Sequence, residues 1–410
     1  MTAADRTLDR YAELAVKIGV NVQPGQTLVI NAPLCTAELV RKIAKTAYLT
    51  GAKHVYTEWT DDELTRLQYD LAPYEALTEY PMWRAKAYEE LAENGAAFLF
   101  IIATDPDLLK GVNPERIAAA DKAMRTAMYT FRNYTMNNSV SWSVIAAPSP
   151  AWAAKVFPNL PESEQVSALW NAIFRATRTD VDDPVTAWQN HQAALNEKVT
   201  YLNGKQYRCL HFKAPGTDLS VQLPPGHRWQ GGASVTANGV PFTANIPTEE
   251  VYTAPLKDGV NGVVSSTMPL SHNGNLIENF TLRFERGRIV EVTAETGFDV
   301  LQKLIETDEG SRYLGEVALV PHQSPISQSN LIFYNTLIDE NASNHLAIGN
   351  AYPVCLEGGD NLSPEEMEQR GLNTSLMHVD FMIGSAEMDI DGELADGTRE
   401  PIFRNGNWAF

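Results

Sequence analysis

The segment Leu376-Met-His-Val-Asp-Phe-Met-Ile-Gly384 alternates between two kinds of side chain. Successive residues of an extended strand face opposite ways, so His378, Asp380 and Met382 share one face. Met377, Val379, Phe381 and Ile383 form the other, which is entirely apolar. A strand buried on that back face presents an imidazole and a carboxylate side by side, both usable as metal ligands. An orienting hydrogen bond between a structural histidine and aspartate has the same pattern, and the segment alone leaves both readings open.

Groups of the same chemical kind lie upstream. Asp339-Glu-Asn-Ala-Ser-Asn-His345 sets a second histidine among small and polar residues, with Tyr352 just beyond. Taken singly, His345 reads as a structural imidazole, and Tyr352 equally as a core aromatic with its hydroxyl satisfied. Gly315-Glu316-Val-Ala-Leu-Val320 places a carboxylate at the entrance of an apolar strand. Pro247-Thr-Glu249-Glu250-Val251 gives two adjacent acids, of which strand geometry lets only one face a given site. Each acid alone reads as solvated surface. There is no His-Glu-x-x-His helix and no Gly-x-Ser-x-Gly elbow, which excludes a zincin and weakens an α/β-hydrolase reading. Cys35, Cys209 and Cys355 sit in no nucleophile motif and read as small apolar side chains.

The elements that must position these groups fall into two regions. In the first half, strand-like runs near 27–31, 53–58, 97–103 and 140–146 alternate with helical periodicity. That alternation predicts a doubly wound parallel sheet. No Gly-x-Gly-x-x-Gly turn follows the first strand, so a dinucleotide-binding reading has no motif behind it. Helical patterns continue over 162–177 and 184–202, after which glycine and proline become frequent and helical periodicity fades. The predicted fold class is therefore α/β. A Rossmann-like domain with a parallel sheet covers 1–195, and a β-rich α+β domain covers 196–410.

The whole chain of 410 residues carries 32 basic and 51 acidic side chains, a net charge of −19. Such a chain repels phosphate backbones and anionic lipid surfaces, which argues against nucleic acid and membrane as partners, whereas divalent cations suit excess carboxylate. Three cysteines cannot all pair internally, and the polar opening residues contain no signal peptide pattern. The longest apolar run, Ala96 to Ala103, falls far short of the roughly 20 residues that span a bilayer. The expectation is a cytoplasmic protein.

Six motifs in order carry a resemblance that spans essentially the whole chain. They are Gly216-Thr-Asp-Leu219, Gly226-His-Arg-Trp229, Ile246-Pro-Thr-Glu-Glu-Val251, Gly315-Glu-Val-Ala-Leu-Val320, Asp339-Glu-Asn-Ala-Ser-Asn-His345 and His378-Val-Asp380. Together they resemble the thermophilic-type metallo-aminopeptidases, the family of aminopeptidases T and S. The resemblance implies that the second domain is catalytic and holds two divalent ions, Zn²⁺, Co²⁺, Mn²⁺ or Mg²⁺. It places their ligands on Glu250, Glu316, His345, His378 and Asp380, with Tyr352 beside the metals. Glu249 is left as the general base, a group supporting the ligands, or surface. The resemblance also implies a homodimer whose active sites face an internal cavity, acting on short peptides. Carboxylates bridge cations, and imidazoles favour Zn²⁺ or Co²⁺ over Mg²⁺. Two such ions acidify a shared water toward a pKa of about 7 and polarise a carbonyl. Tyr352 is expected to donate to the oxyanion, and a carboxylate to move the proton. A dinuclear metal amidase and a non-catalytic peptide- or metal-binding homologue remain the rival readings.

Overall fold

The computed structural model describes residues 3–272, 275–359 and 362–410. The chain forms two compact units. One runs to Asn190 and takes back Ala233–Pro247; the other comprises His191–Gly232 and Thr248–Phe410. The first change of unit falls inside the helix Pro184–Lys205.

The first unit is built on a parallel five-stranded sheet. Its order is Asn245–Ile246, Trp142–Ala146, Ala97–Ile102, Thr27–Pro33 and His54–Thr60. Ala97, Phe98 and Leu99 are fully buried, as expected of a strand covered on both faces. The fifth strand, Asn245–Ile246, arrives from far along the chain and pairs with Val144 and Ile145.

The second unit packs two antiparallel sheets around one core. The eight-stranded sheet runs in the order Arg288–Thr293, Thr281–Glu285, Val260–Ser265, Thr217–Gln222, Cys209–Ala214, Asp389–Glu393, Arg399–Arg404 and Asn407–Trp408. The five-stranded sheet runs His378–Met382, His345–Gly349, Leu314–Leu319, Val251–Thr253 and Gln230–Gly231. Leu210, Phe212, Val221 and Val264 of the larger sheet share a core with Val317, Leu346, Ile348 and Phe381 of the smaller. That burial is the main stabilising term of the unit. Among the described residues no helix is long and apolar enough to cross a membrane.

Glu393, at the end of its strand, gathers Arg208, His211 (2.8 Å) and Arg399 (3.3 Å). Arg208 first, then His211, hold its carboxyl down to about 2, against an ordinary value of 4.5. A carboxylate depressed in the folded state adds stability above its ordinary value and loses it as pH falls through the folded one. Glu393→Gln is therefore expected to lower the thermal midpoint at pH 7. The gap from the parent should close between pH 4.5 and 2. Melting curves across that range check it, and a gap that stays constant would remove the carboxylate's charge as the cause.

Candidate metal centre

The register of the five-stranded sheet sets the site. Glu316 pairs with Ala347, and Ala347 with Asp380, so the three lie in one row across adjacent strands. His345 pairs with Ala318 and Met382, and His378 with Gly349. Directly opposed residues of antiparallel strands point to the same face. One face thus carries Glu316, His345, His378 and Asp380, with Glu250 entering just ahead of Val251–Thr253. The residues between them, Ala318, Ala347 and Gly349, are small. Val251, Val317, Leu319, Leu346, Ile348 and Phe381 occupy the opposite face, in the core. A slip of one residue would exchange the two faces and bury the charged set in hydrocarbon, so the register is strongly specified.

One irregularity makes the arrangement possible. Leu314 pairs with core-facing Ile348, yet Glu316 pairs with site-facing Ala347, because the register shifts between Leu314 and Glu316. Gly315 is the extra residue of this bulge. Without it, Leu314 and Glu316 would share a face, and either the leucine would leave the core or the carboxylate would enter it. A Cβ on Gly315 would stand 2.3 Å from the Asn350 carbonyl oxygen, so no side chain fits there.

Within the cluster, Glu316 stands between two imidazoles. Its Oε1 lies 3.5 Å from His345 Nε2, and its Oε2 lies 3.6 Å from His378 Nε2. His345 Nε2 is 3.0 Å from Glu250 Oε2, and His378 Nε2 is 3.4 Å from Asp380 Oδ1. Two groups of donor atoms result, Glu250–Glu316–His345 and Glu316–His378–Asp380, each spanning no more than 4.8 Å. Both imidazoles are oriented by backbone. His345 Nδ1 faces the Ser343 carbonyl at 3.1 Å and His378 Nδ1 the Asn350 carbonyl at 2.7 Å. Donation there assigns the proton to Nδ1 and turns the Nε2 lone pairs inward, as metal-binding histidines require.

The charges of the cluster fit a cation. Burial pushes Glu316 up to about 7, opposed by the hydrogen bond from His345 and reinforced by Glu250. Burial pulls the His378 imidazole down, but Asp380 outweighs it and lifts the group to about 10. His345 is likewise drawn down by burial and raised well above its ordinary range by Glu250 and Glu316. Protons on the imidazoles thus offset part of the carboxylate charge, and divalent ions would displace them. Asp380 Oδ1 is buried with no hydrogen-bond partner, an acceptor that a cation would satisfy. Oxygen and imidazole donors together suit a divalent cation.

Of the remaining predicted residues, Tyr352 packs against one of the cluster's imidazoles. The Tyr352 ring is 4.7 Å from that of His378 and 6.0 Å from that of Tyr252. Burial, then Glu316 and Asp380, raise its hydroxyl well above the ordinary tyrosine value, so it stays a donor. Glu249 is nearly fully buried, with Oε2 3.6 Å from His191 Nε2 and its amide donating to Asn341 Oδ1 at 2.7 Å. One acidic side chain escapes sequence reasoning. Glu340 is raised well above its ordinary value by burial, then by Glu250 and Asp380, which puts it within the field of the cluster. Its neighbour Asp339 instead accepts the Phe333 and Asn335 amides, at 2.7 and 3.0 Å. The motif before His345 contains both acids, and only the turn at Glu340–Ala342 decides which one faces the cluster.

Buried carboxylates and inward-facing imidazoles on one sheet face are the donor set of a divalent-metal hydrolase. The chain belongs to the thermophilic metalloprotease (M29) family, whose model matches residues 4–408. It is 59% identical to "Aminopeptidase 2" of Geobacillus stearothermophilus, over 100% of this chain and 99% of that one. It is 58% identical to "Aminopeptidase AmpS" of Bacillus subtilis (strain 168), over the full length of both. The solved structure of wild-type AmpT from Thermus thermophilus superposes with a TM-score of 0.94 at 46% identity, covering 100% of each chain.

Proposed function

We propose that this protein is a metal-dependent aminopeptidase that releases N-terminal residues from short peptides using a pair of divalent ions. The observation that carries the pair is Glu316, which offers one carboxylate oxygen to each donor group. Glu250 and His345 would complete one ion's ligands, and His378 and Asp380 the other's, with Glu340 adding a carboxyl to the cluster. The second unit is then the catalytic domain. Bound ions supply an acidified water nucleophile and a Lewis acid for the scissile carbonyl.

The protein's own groups do the rest. A free, neutral α-amine would be a further donor to a bound ion, which would confine cleavage to that end. The Tyr352 hydroxyl donates to the oxyanion that develops on the scissile carbonyl. Glu249, whose Oε2 lies 3.6 Å from His191 Nε2, would be the group that takes the water's proton and returns it to the leaving amine. Three cysteines, none in a disulfide, agree with a cytoplasmic setting. A homodimer is supported by the helix Asp62–Leu71, which buries no residue and exposes Leu64, Leu67 and Leu71. Tyr56 and Trp59 of the edge strand His54–Thr60 are exposed as well, and apolar area of this kind marks an association surface.

Two measurements test the reading. Prolonged chelation should abolish hydrolysis of aminoacyl-nitroanilides, and a divalent cation should restore it; full activity in verified metal-free protein would sink the mechanism. N-acetylated peptides should be poor substrates, while C-terminal amidation should change little. Comparable cleavage of acetylated and free peptides would point to a general amidase, and metal binding with no turnover to a non-catalytic homologue.

A further inference from the structure

The ligand-bearing face of the five-stranded sheet continues past His345. The amides of Ile383 and Gly384 both donate to the Asn344 carbonyl, at 2.8 and 3.0 Å, just past the last strand pair, His345 and Met382. Ser343, two residues before His345, lies on the same side of the extended chain as that histidine, and Gly384 adjoins it. Ser343 has an extended backbone (φ −161°, ψ 170°), and its hydroxyl accepts the Gly384 amide at 3.2 Å. These two residues form a wall of a cavity of about 310 Å³. The same Ser343 carries the carbonyl that orients His345.

The cavity has a definite chemistry. Met268, Ile326, Leu331 and Ile332 supply its apolar wall, and its lining includes no Asp, Glu, Lys or Arg. Two of its polar groups, His322 Nδ1 and Ser327 Oγ, are hydrogen-bonded to each other at 3.1 Å. The volume sits at the low end of the roughly 300–1,000 Å³ of small-ligand sites, enough for one side chain rather than a peptide. Two residues of strand, about 7 Å, separate Ser343 from His345. A substrate amine held at the cluster around His345 thus carries its own side chain toward this neutral space.

We infer that this cavity receives the side chain of the substrate's N-terminal residue and selects uncharged, chiefly aliphatic ones. The inference rests on the aminopeptidase reading above. Ala386 lines the cavity from an exposed position outside the ligand set, so Ala386→Leu fills the space, whereas Leu331→Ala enlarges it.

The test compares aminoacyl-nitroanilides of Ala, Leu, Phe and Glu on the metal-loaded parent and both variants. The parent should prefer Leu over Glu. Ala386→Leu should lower kcat/KM for Leu by roughly 10- to 100-fold and leave Ala within about 3-fold, and Leu331→Ala should shift preference toward Phe. Metal content should equal the parent's in both. Calorimetry should show weaker binding of L-leucine, but not of glycine, to Ala386→Leu. Leu and Ala substrates moving together in both variants, or a parent that prefers Glu, would overturn the assignment of the cavity alone. A metal-loaded parent that cleaves none of the four substrates would instead overturn the aminopeptidase reading, and the cavity's role with it.

Discussion

Glu316→Ala is expected to lose both metal ions together. Its two carboxylate oxygens face His345 and His378 separately, so removing the one side chain opens both donor groups. Replacing a partner that only supports a ligand costs roughly 10- to 100-fold in metal affinity, and a shared ligand should cost more than about 100-fold. Turnover at limiting metal should fall at least as far, because the nucleophile depends on the ions. Replacing a residue of one group only, as in His345→Ala, should empty one position and leave the other partly filled. Metal stoichiometry by elemental analysis, with circular dichroism to confirm folding, separates the cases. If Glu316→Ala kept one ion at full occupancy, the carboxylate would belong to a single site and the pair would need another bridge.

Tyr352→Phe should do the opposite, keeping its metals while losing rate. The ring packs tilted against His378 and edge-on to Tyr252, contacts a phenylalanine retains. What disappears is a hydroxyl that burial and the neighbouring carboxylates hold protonated. A donor aimed at a developing oxyanion is worth about 10- to 1000-fold in kcat. KM should move less, since that hydrogen bond strengthens mainly in the transition state. Metal content and steady-state kinetics measured together decide the matter. Lost metal would make Tyr352 a ligand, and an unchanged kcat would return it to a packed aromatic.

Much of the candidate site is legible in one dimension because strand alternation is local. The period of two around His378 and Asp380 separates ligand face from core face before any partner strand is known. The parallel sheet of the first half is legible for the same reason, from apolar runs spaced by helical periodicity. Leu314 and Glu316 show where such reasoning stops. Two residues apart, they read as neighbours on one face, yet the bulge at Gly315 sends one to the core and the other to the site. A glycine marks that possibility, but the carbonyl of Asn350 that leaves no room for a Cβ comes from a strand connection far along the chain.

The amino-acid sequence by itself determined the residue types of the cluster, the strands that carry them and, through six ordered motifs, the family. Tertiary structure alone decided how those strands register against one another. That register makes Glu316 common to both donor groups, while the turn at Glu340–Ala342 puts Glu340 rather than Asp339 in the field of the cluster and helix packing sets His191 near Glu249. Tertiary pairing also brings Asn245–Ile246 back as the fifth strand of the first unit's sheet. The physical reason is common to all of these. Periodicity records which way a side chain points within its own strand, whereas the side chain it meets is set by hydrogen-bond pairing between segments tens to a hundred residues apart. The burial of two opposed apolar faces selects that pairing only when the whole unit folds.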